Sequence, residues 1–243
     1  MTSIFWKEIN TFFSSLIGYI VIGVFLIIMG LVLFIFPDTS LLEYNYASLD
    51  QLFLMAPLVF MFLIPAVTMR SFAEEQQNGT IELLTTRPLS DLSIVLGKFL
   101  ACLILVVFAL LPTLLYYLTV YRLGAPTGNL DSGAIAGSYF GLIFLAAIFV
   151  SIGIFASSLT SNQIVSFVLA TFLCFILHYG FYYFSQLPVF FGRTDDIVQM
   201  MGIDYHYESI SRGLVDTRDL VYFVSVTALF IAMTVVSIGR RKW

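Results

Sequence analysis

The sequence predicts an all-α membrane protein of six transmembrane helices, with an N-terminal interfacial helix and both termini cytoplasmic. Three observations lead there. First, 60% of the residues are hydrophobic and 11% charged, with a mean hydropathy of +0.98, a balance far from that of soluble domains. Second, the 243 residues divide into six apolar runs, each near the ~20 residues that a helix needs to cross hydrocarbon. Third, Lys and Arg are unequally shared between the two sets of connectors, which fixes an orientation.

In chain order, Met1 to Ser15 places Ile4, Phe5, Ile9, Phe12 and Phe13 near helical spacing, with Lys7, Glu8, Asn10 and Thr11 largely opposite. That stripe predicts a helix lying on the membrane surface over residues 1–15. Leu16 to Phe36 is the first span, stopped by Pro37 and Asp38. Its length exceeds a signal-peptide core and no small-residue cleavage pattern follows, so it is expected to stay in the protein. The connector to Asp50 carries Asp38, Glu43 and Asp50 and no base. Leu52 to Met69 is the second span, with Pro57 and Pro65 as potential kinks. Phe99 to Tyr121 is the third, containing Pro112 and ending in Tyr116, Tyr117 and Tyr121, a pattern suited to an aromatic belt.

Residues 122–132 have turn chemistry. Gly133 to Ala156 is the fourth span, 157–163 a short uncharged turn, and Ile164 to Phe184 the fifth span. Residues 185–219 form a long polar segment with three arginines and six acids. Helix signals at Thr194-Asp195-Asp196 and near Asp204, with stops at Gly202 and Gly213, predict two short helices capping the membrane. Leu220 to Ile238 is the sixth span, entered through Asp216-Thr217-Arg218-Asp219 as a capping box. The whole is one membrane domain.

With the N-terminus inside, the cytoplasmic side holds Lys7, Arg70, Arg87, Lys98, Arg240, Arg241 and Lys242, against Arg122, Arg193, Arg212 and Arg218 outside. This asymmetry makes residues 70–98 a cytoplasmic polar island between the second and third spans. Within it, the second span runs on to about Gln77, Asn78-Gly79 is a C-cap, Thr80 opens a short cross-helix over Ile81 to Thr86, Pro88 breaks it, and Ser90 caps the third span's helix. An ordinary solvated hairpin has the same spacing.

The run Glu75-Gln76-Gln77-Asn78-Gly79-Thr80-Ile81-Glu82-Leu83-Leu84, then Arg87-Pro88-Leu89-Ser90 and Val95-Leu96-Gly97-Lys98, resembles the signature of the ABC type-2 permease family. Residues 213–223 resemble the entry to that family's last span. Among its branches the chain is most similar to the gliding-motility-associated permease subunit of Bacteroidetes-type bacteria. The resemblance implies a permease of the bacterial inner membrane, paired with a second permease or auxiliary membrane subunit as a homo- or heterodimer. It also implies a separate ABC ATPase, carrying ATP and Mg, that pushes on Glu74, Glu75, Gly79, Thr80, Glu82, Leu83, Leu84, Arg87 and Pro88. The chain itself is expected to hold no cofactor and not to hydrolyse ATP: Gly97-Lys98 is followed by Phe99 and lacks the glycine loop that cradles phosphate.

Other chemistries fare worse on the residues. The −4 net charge lies in loops and gives no nucleic-acid face. Two histidines and the remote Cys102 and Cys174 offer no metal spacing or disulfide framework. An intramembrane protease could use Ser138 with His178, but serine beside glycine is common helix-packing chemistry. His178 is expected to hydrogen-bond near the outer interface, and His206 to lie in a loop. An ion-coupled carrier should place ionisable residues inside its spans, where the sequence has His178. A non-transporting transducer that acts on an envelope partner through residues 185–219 is the alternative function.

Overall fold

The structure, a computed structural model, describes residues 1–37, 39–41, 47–80, 90–188 and 195–240. Among these every regular element is helical and no strand occurs. In order they are α1 (Thr2–Ser14), α2 (Leu16–Phe34), α3 (Asp50–Thr68), α4 (Arg70–Gln77), α5 (Asp91–Leu110), α6 (Leu114–Leu123), α7 (Ser132–Leu159), α8 (Gln163–Phe175), α9 (Phe181–Ser185), α10 (Asp195–Gln199), α11 (Ile203–Ser211) and α12 (Thr217–Gly239).

Five stretches of the described residues are long and apolar enough to cross a bilayer: 50–77, 91–123, 132–159, 163–185 and 217–239. The first pair, α1 and α2, supplies a sixth if the two are counted together across their bend of 67°. Ser15 causes that bend: its backbone is extended, so the helical ladder ends there. The helices are longer than the apolar runs read from sequence. The second span's helix reaches Gln77 and the third's begins at Asp91, so much of the polar island is helical arm rather than loop.

The prolines act in two ways. Pro57 and Pro65 lie inside α3, which continues past both. Pro112 lies in a 3₁₀ turn, Leu111–Thr113, that joins α5 to α6. A tighter turn tolerates a residue with no N–H more readily than a continued α-ladder does. Thr113 and Tyr139 hydroxyls, 3.0 Å apart, tie that turn to α7.

Helix α7 is the centre, packed against α3, α5, α8, α11 and α12. It meets α3 at Gly153, where a Cβ atom would stand 2.0 Å from Thr68 Oγ1. Only a residue without a side chain allows this approach, the small-residue packing common between membrane helices. Helices α8 and α12 leave most of their apolar surface uncovered.

At the end of the bundle away from the island, α10 and α11 cap the helices. Tyr207 on α11 is buried and donates to the Phe53 carbonyl, 2.8 Å. Ser138 on α7 donates to the carbonyls of Ala134 and Ser211 at 2.9 and 2.8 Å. Asp216 caps α12 by accepting from the Arg218 N–H. The capping box is only half formed, because the Asp219 carboxylate meets His206 instead, 2.7 Å away.

Candidate functional site

The polar island begins with a break in a helix. In an unbroken α-helix the N–H groups of Phe72 and Ala73 would bond the carbonyls four residues earlier. Here both donate to Ser157 Oγ on α7, at 2.9 and 3.0 Å, and that hydroxyl donates to the Met69 carbonyl at 3.0 Å. A side chain from the central helix thus replaces the missing rungs between α3 and α4. One turn further, Gln76 Nε2 donates to the Ser158 carbonyl, 2.9 Å. The first arm of the hairpin is therefore pinned to the end of α7.

Its tip turns at Gly79, whose φ of +67° lies in the left-handed region that glycine enters without a Cβ penalty. Thr80 N–H closes the cap by donating to the Glu75 carbonyl, 2.9 Å. On the returning arm, Ser90 caps α5 by accepting from the Ser93 N–H, 3.3 Å. Residues 81–89 lie outside the described residues. The cross-helix expected over 81–86 falls there, as do Glu82, Leu83, Leu84, Arg87 and Pro88. Of the nine expected contact residues, Glu74, Glu75, Gly79 and Thr80 are described, on α4 and its cap.

Between the two arms lies an ionic cluster that sequence spacing did not reveal. Lys98, on α5, is 1% exposed. Its three ammonium donors go to Glu8 Oε1 at 2.7 Å, the Ser71 carbonyl at 2.7 Å and Glu75 Oε1 at 2.9 Å. Phe72 presents its ring 5.0 Å from Nζ. Lys7 Nζ shares Glu75 Oε1 from the outer side at 3.0 Å and stands 3.5 Å from Glu8. Burial opposes the Lys7 charge, but the hydrogen bond and field of Glu75, with Glu8, outweigh it and raise its pKa above that of an ordinary lysine.

The cluster joins α1, α4 and α5. Glu8 was expected on the solvent face of α1, yet it is buried with Ile4, Ile9 and Phe12; its carboxylate turns inward because Lys98 waits there. Ile4 sits directly over Gly97 of α5, where a Cβ would be 3.1 Å from Ile4 Cγ2. Beside the cluster is a cavity of about 230 Å³, lined among others by Lys7, Glu8, Arg70, Glu74, Glu75 and Lys98. Both its walls and the cluster carry the two signs of charge together.

Lys98 has no donor left for a phosphate, so the Gly97-Lys98 pair does not serve as a nucleotide-binding lysine. Among the described residues no group of three His, Cys, Asp or Glu could hold a metal ion. Cys102 and Cys174 are buried free thiols, with Cys102 Sγ 3.7 Å from Ser71 Oγ.

The histidines differ from the sequence reading. His178 is buried in a π-helical turn, Ile176–Gly180, against Phe149, Tyr179 and Tyr207. Its Nδ1 has no hydrogen-bond partner, and Nε2 is 3.7 Å from Asp204 Oδ1, too far for one. Burial, with Glu208 nearby, raises Asp204 above the ordinary aspartate value. His206 is not a loop residue: it lies on α11 and is bonded through both ring nitrogens. Ser138 spends its single proton on backbone carbonyls, and among the described residues no hydrogen bond joins it to His178, so the serine–histidine arrangement is not assembled.

In a comparison with protein families, the model described as ABC-2 family transporter protein matches residues 37–199, more than half of the chain. A comparison with curated proteins gives no match.

Proposed function

Because the chain belongs to the ABC-2 family of transporters, a family of membrane components that work with ABC ATPase subunits, we propose that it is the membrane-spanning permease subunit of an ATP-driven export complex. In this reading a separate ATPase grips residues 70–98. Its closure on ATP and Mg pushes on Glu74, Glu75, Gly79 and Thr80 and on the following Glu82, Leu83, Leu84, Arg87 and Pro88. Both termini face the cytoplasm of a bacterial inner membrane, α1 lies along its surface, and a second permease copy or auxiliary membrane subunit completes the pathway. The setting proposed for it is the gliding-motility-associated branch of the family, on the resemblance of its sequence.

The observation that supports this reading best is the Lys98 cluster. A buried lysine whose three donors are all used joins both hairpin arms to α1 through Glu8 and Glu75, with Lys7 on the outer side. Ser157 adds the central helix to the same unit. Force applied at the tip around Gly79 is therefore delivered to α1, α3, α5 and α7 together, the property a coupling element needs to shift the whole bundle between two states.

The test is gentle extraction of the chain with its genomic neighbours, followed by ATPase assays. The reading expects an ATPase to co-purify, and expects Gly79→Pro or Glu82→Arg to detach or uncouple it while the chain stays inserted. Absence of any ATPase, or a complex untouched by both changes, removes the basis for coupling. Reconstitution in vesicles, with ATP-dependent movement of lipid or cargo, separates an exporter from a transducer.

A further inference from the structure

At the opposite end of the bundle, His206 is held in a way that only one protonation state satisfies. Its Nδ1 faces the Asp219 carboxylate at 2.7 Å, and its Nε2 faces the Met200 carbonyl at 3.0 Å. With the Asp219 carboxyl ionised both partners are acceptors, and both ring nitrogens then donate only in the imidazolium. The ring also stacks on Tyr222, centroids 3.9 Å apart and planes 23° apart, a placement that favours a cation over an aromatic face. The pair is sheltered, with side chains 13% and 10% exposed for His206 and Asp219.

The contacts have a common geometry. Asp219 and Tyr222 are one turn apart at the start of α12. His206 and the Tyr222 hydroxyl each donate to one of two successive carbonyls, Met200 and Met201, the latter at 2.7 Å. Those carbonyls form the turn between α10 and α11. We propose that His206 is a proton-operated latch that fastens this cap to the last span when it is doubly protonated, and releases it when the proton is lost.

Loss of one proton leaves the ring a single N–H. Either the Met200 carbonyl or the Asp219 carboxylate then faces a bare nitrogen lone pair, and the cationic stack is lost as well. The titratable groups that reach the ring are Asp219 and Tyr222 from α12 and, edge-on at 5.3 Å, Tyr205 from its own helix. Among the described residues the 200–202 turn offers it a carbonyl and no charge. Histidine is the side chain that changes charge in the mild pH range, so closure is favoured as pH falls and release as it rises. With the orientation proposed above, the pH sensed is that outside the membrane; the latch itself does not depend on that orientation.

The test uses the full chain in lipid nanodiscs with isotope-labelled histidine. Two histidines give two sets of ring-nitrogen signals, and His206→Gln identifies its own by deletion. The latch predicts an imidazolium signature for His206 while the cap is closed and a neutral ring once rising pH releases it. Over the same rise in pH, hydrogen exchange of residues 200–211, corrected for intrinsic base catalysis, should lose about tenfold protection, the worth of one hydrogen bond. His206→Gln should flatten that step. Tyr222→Phe, which keeps both histidine bonds, should lower protection at every pH and leave the step in place. A neutral His206 throughout, or a step that survives His206→Gln, overturns the latch.

Discussion

Lys98 Nζ and Glu75 Oε1 lie 2.9 Å apart, joining the two arms of the polar hairpin. Glu8 approaches the same ammonium at 2.7 Å from the N-terminal helix. The relationship sets up a specific asymmetry: removing Lys98 alone should harm the protein more than removing it together with both carboxylate charges.

Lys98→Met leaves two carboxylates, each 11% exposed, without their buried cation and with only the more exposed Lys7 beside them. Leaving buried charge uncompensated costs about 3–5 kcal/mol, whereas apolar or neutral replacement of a complete set is often tolerated. Thermal unfolding in detergent should show a large loss for Lys98→Met and recovery of most of it in Lys98→Met with Glu8→Gln and Glu75→Gln. Equal losses in both would mean that the cluster is not the stabilising unit.

Ser157→Ala removes the acceptor for Phe72 and Ala73 N–H and the donor to the Met69 carbonyl. Unsatisfied buried backbone groups cost about 1–3 kcal/mol. Hydrogen exchange should accelerate at residues 72 and 73 while the middle of α3 stays protected. Unchanged exchange there would show that the break does not rely on this hydroxyl.

The α3–α7 crossing should be equally sensitive to volume. A methyl at position 153 meets Thr68 Oγ1 at 2.0 Å and Cβ at 2.8 Å, so Gly153→Ala should destabilise by about 1–3 kcal/mol through overpacking. Thr68→Ala removes the nearer atom and should rescue part of that loss in the double variant. A double-mutant cycle with no coupling would contradict the close approach.

Asp216, at the start of α12, gives a pH dependence. The Arg218 N–H that it accepts, aided by Thr217, holds its carboxyl below the usual 3.8. Its contribution to folding is present above that ordinary value and disappears as pH falls through the lower folded-state value. Acid unfolding of Asp216→Asn, which caps without a charge, should be less steep below about pH 4 than that of the native chain. An identical acid limb would place the dependence elsewhere.

The helices were legible in the sequence because apolar runs near membrane thickness have few other uses, and because Gly79 and Asp216 carry local signals for a stop and a start. Ser90 is readable for the same reason. The Lys98 cluster was not, since Glu8, Glu75 and Lys98 are 67 and 23 residues apart in turn, and no local period links them. Glu8 carried a local signal that was misassigned: four residues from both Ile4 and Phe12, it falls on the apolar stripe of α1 rather than opposite it. His206 escaped in a different way: tyrosines on both sides looked like loop composition, while its partner Asp219 belongs to the next helix. Lys98 itself stands at the end of the island, between Gly97 and the apolar run that begins at Phe99.

The central claim is that the ATPase meets the tip of the 70–98 hairpin, and site-directed cross-linking tests it most directly. Both native cysteines are buried, so a surface-reactive cross-linker will report on an introduced thiol. In the complex purified with its ATPase, Thr80→Cys should form a cross-link to that subunit which changes in yield on ATP addition, and Asn129→Cys, in the loop at the other end of α6, should form none. A cross-link from position 129 with none from position 80 would contradict the claim.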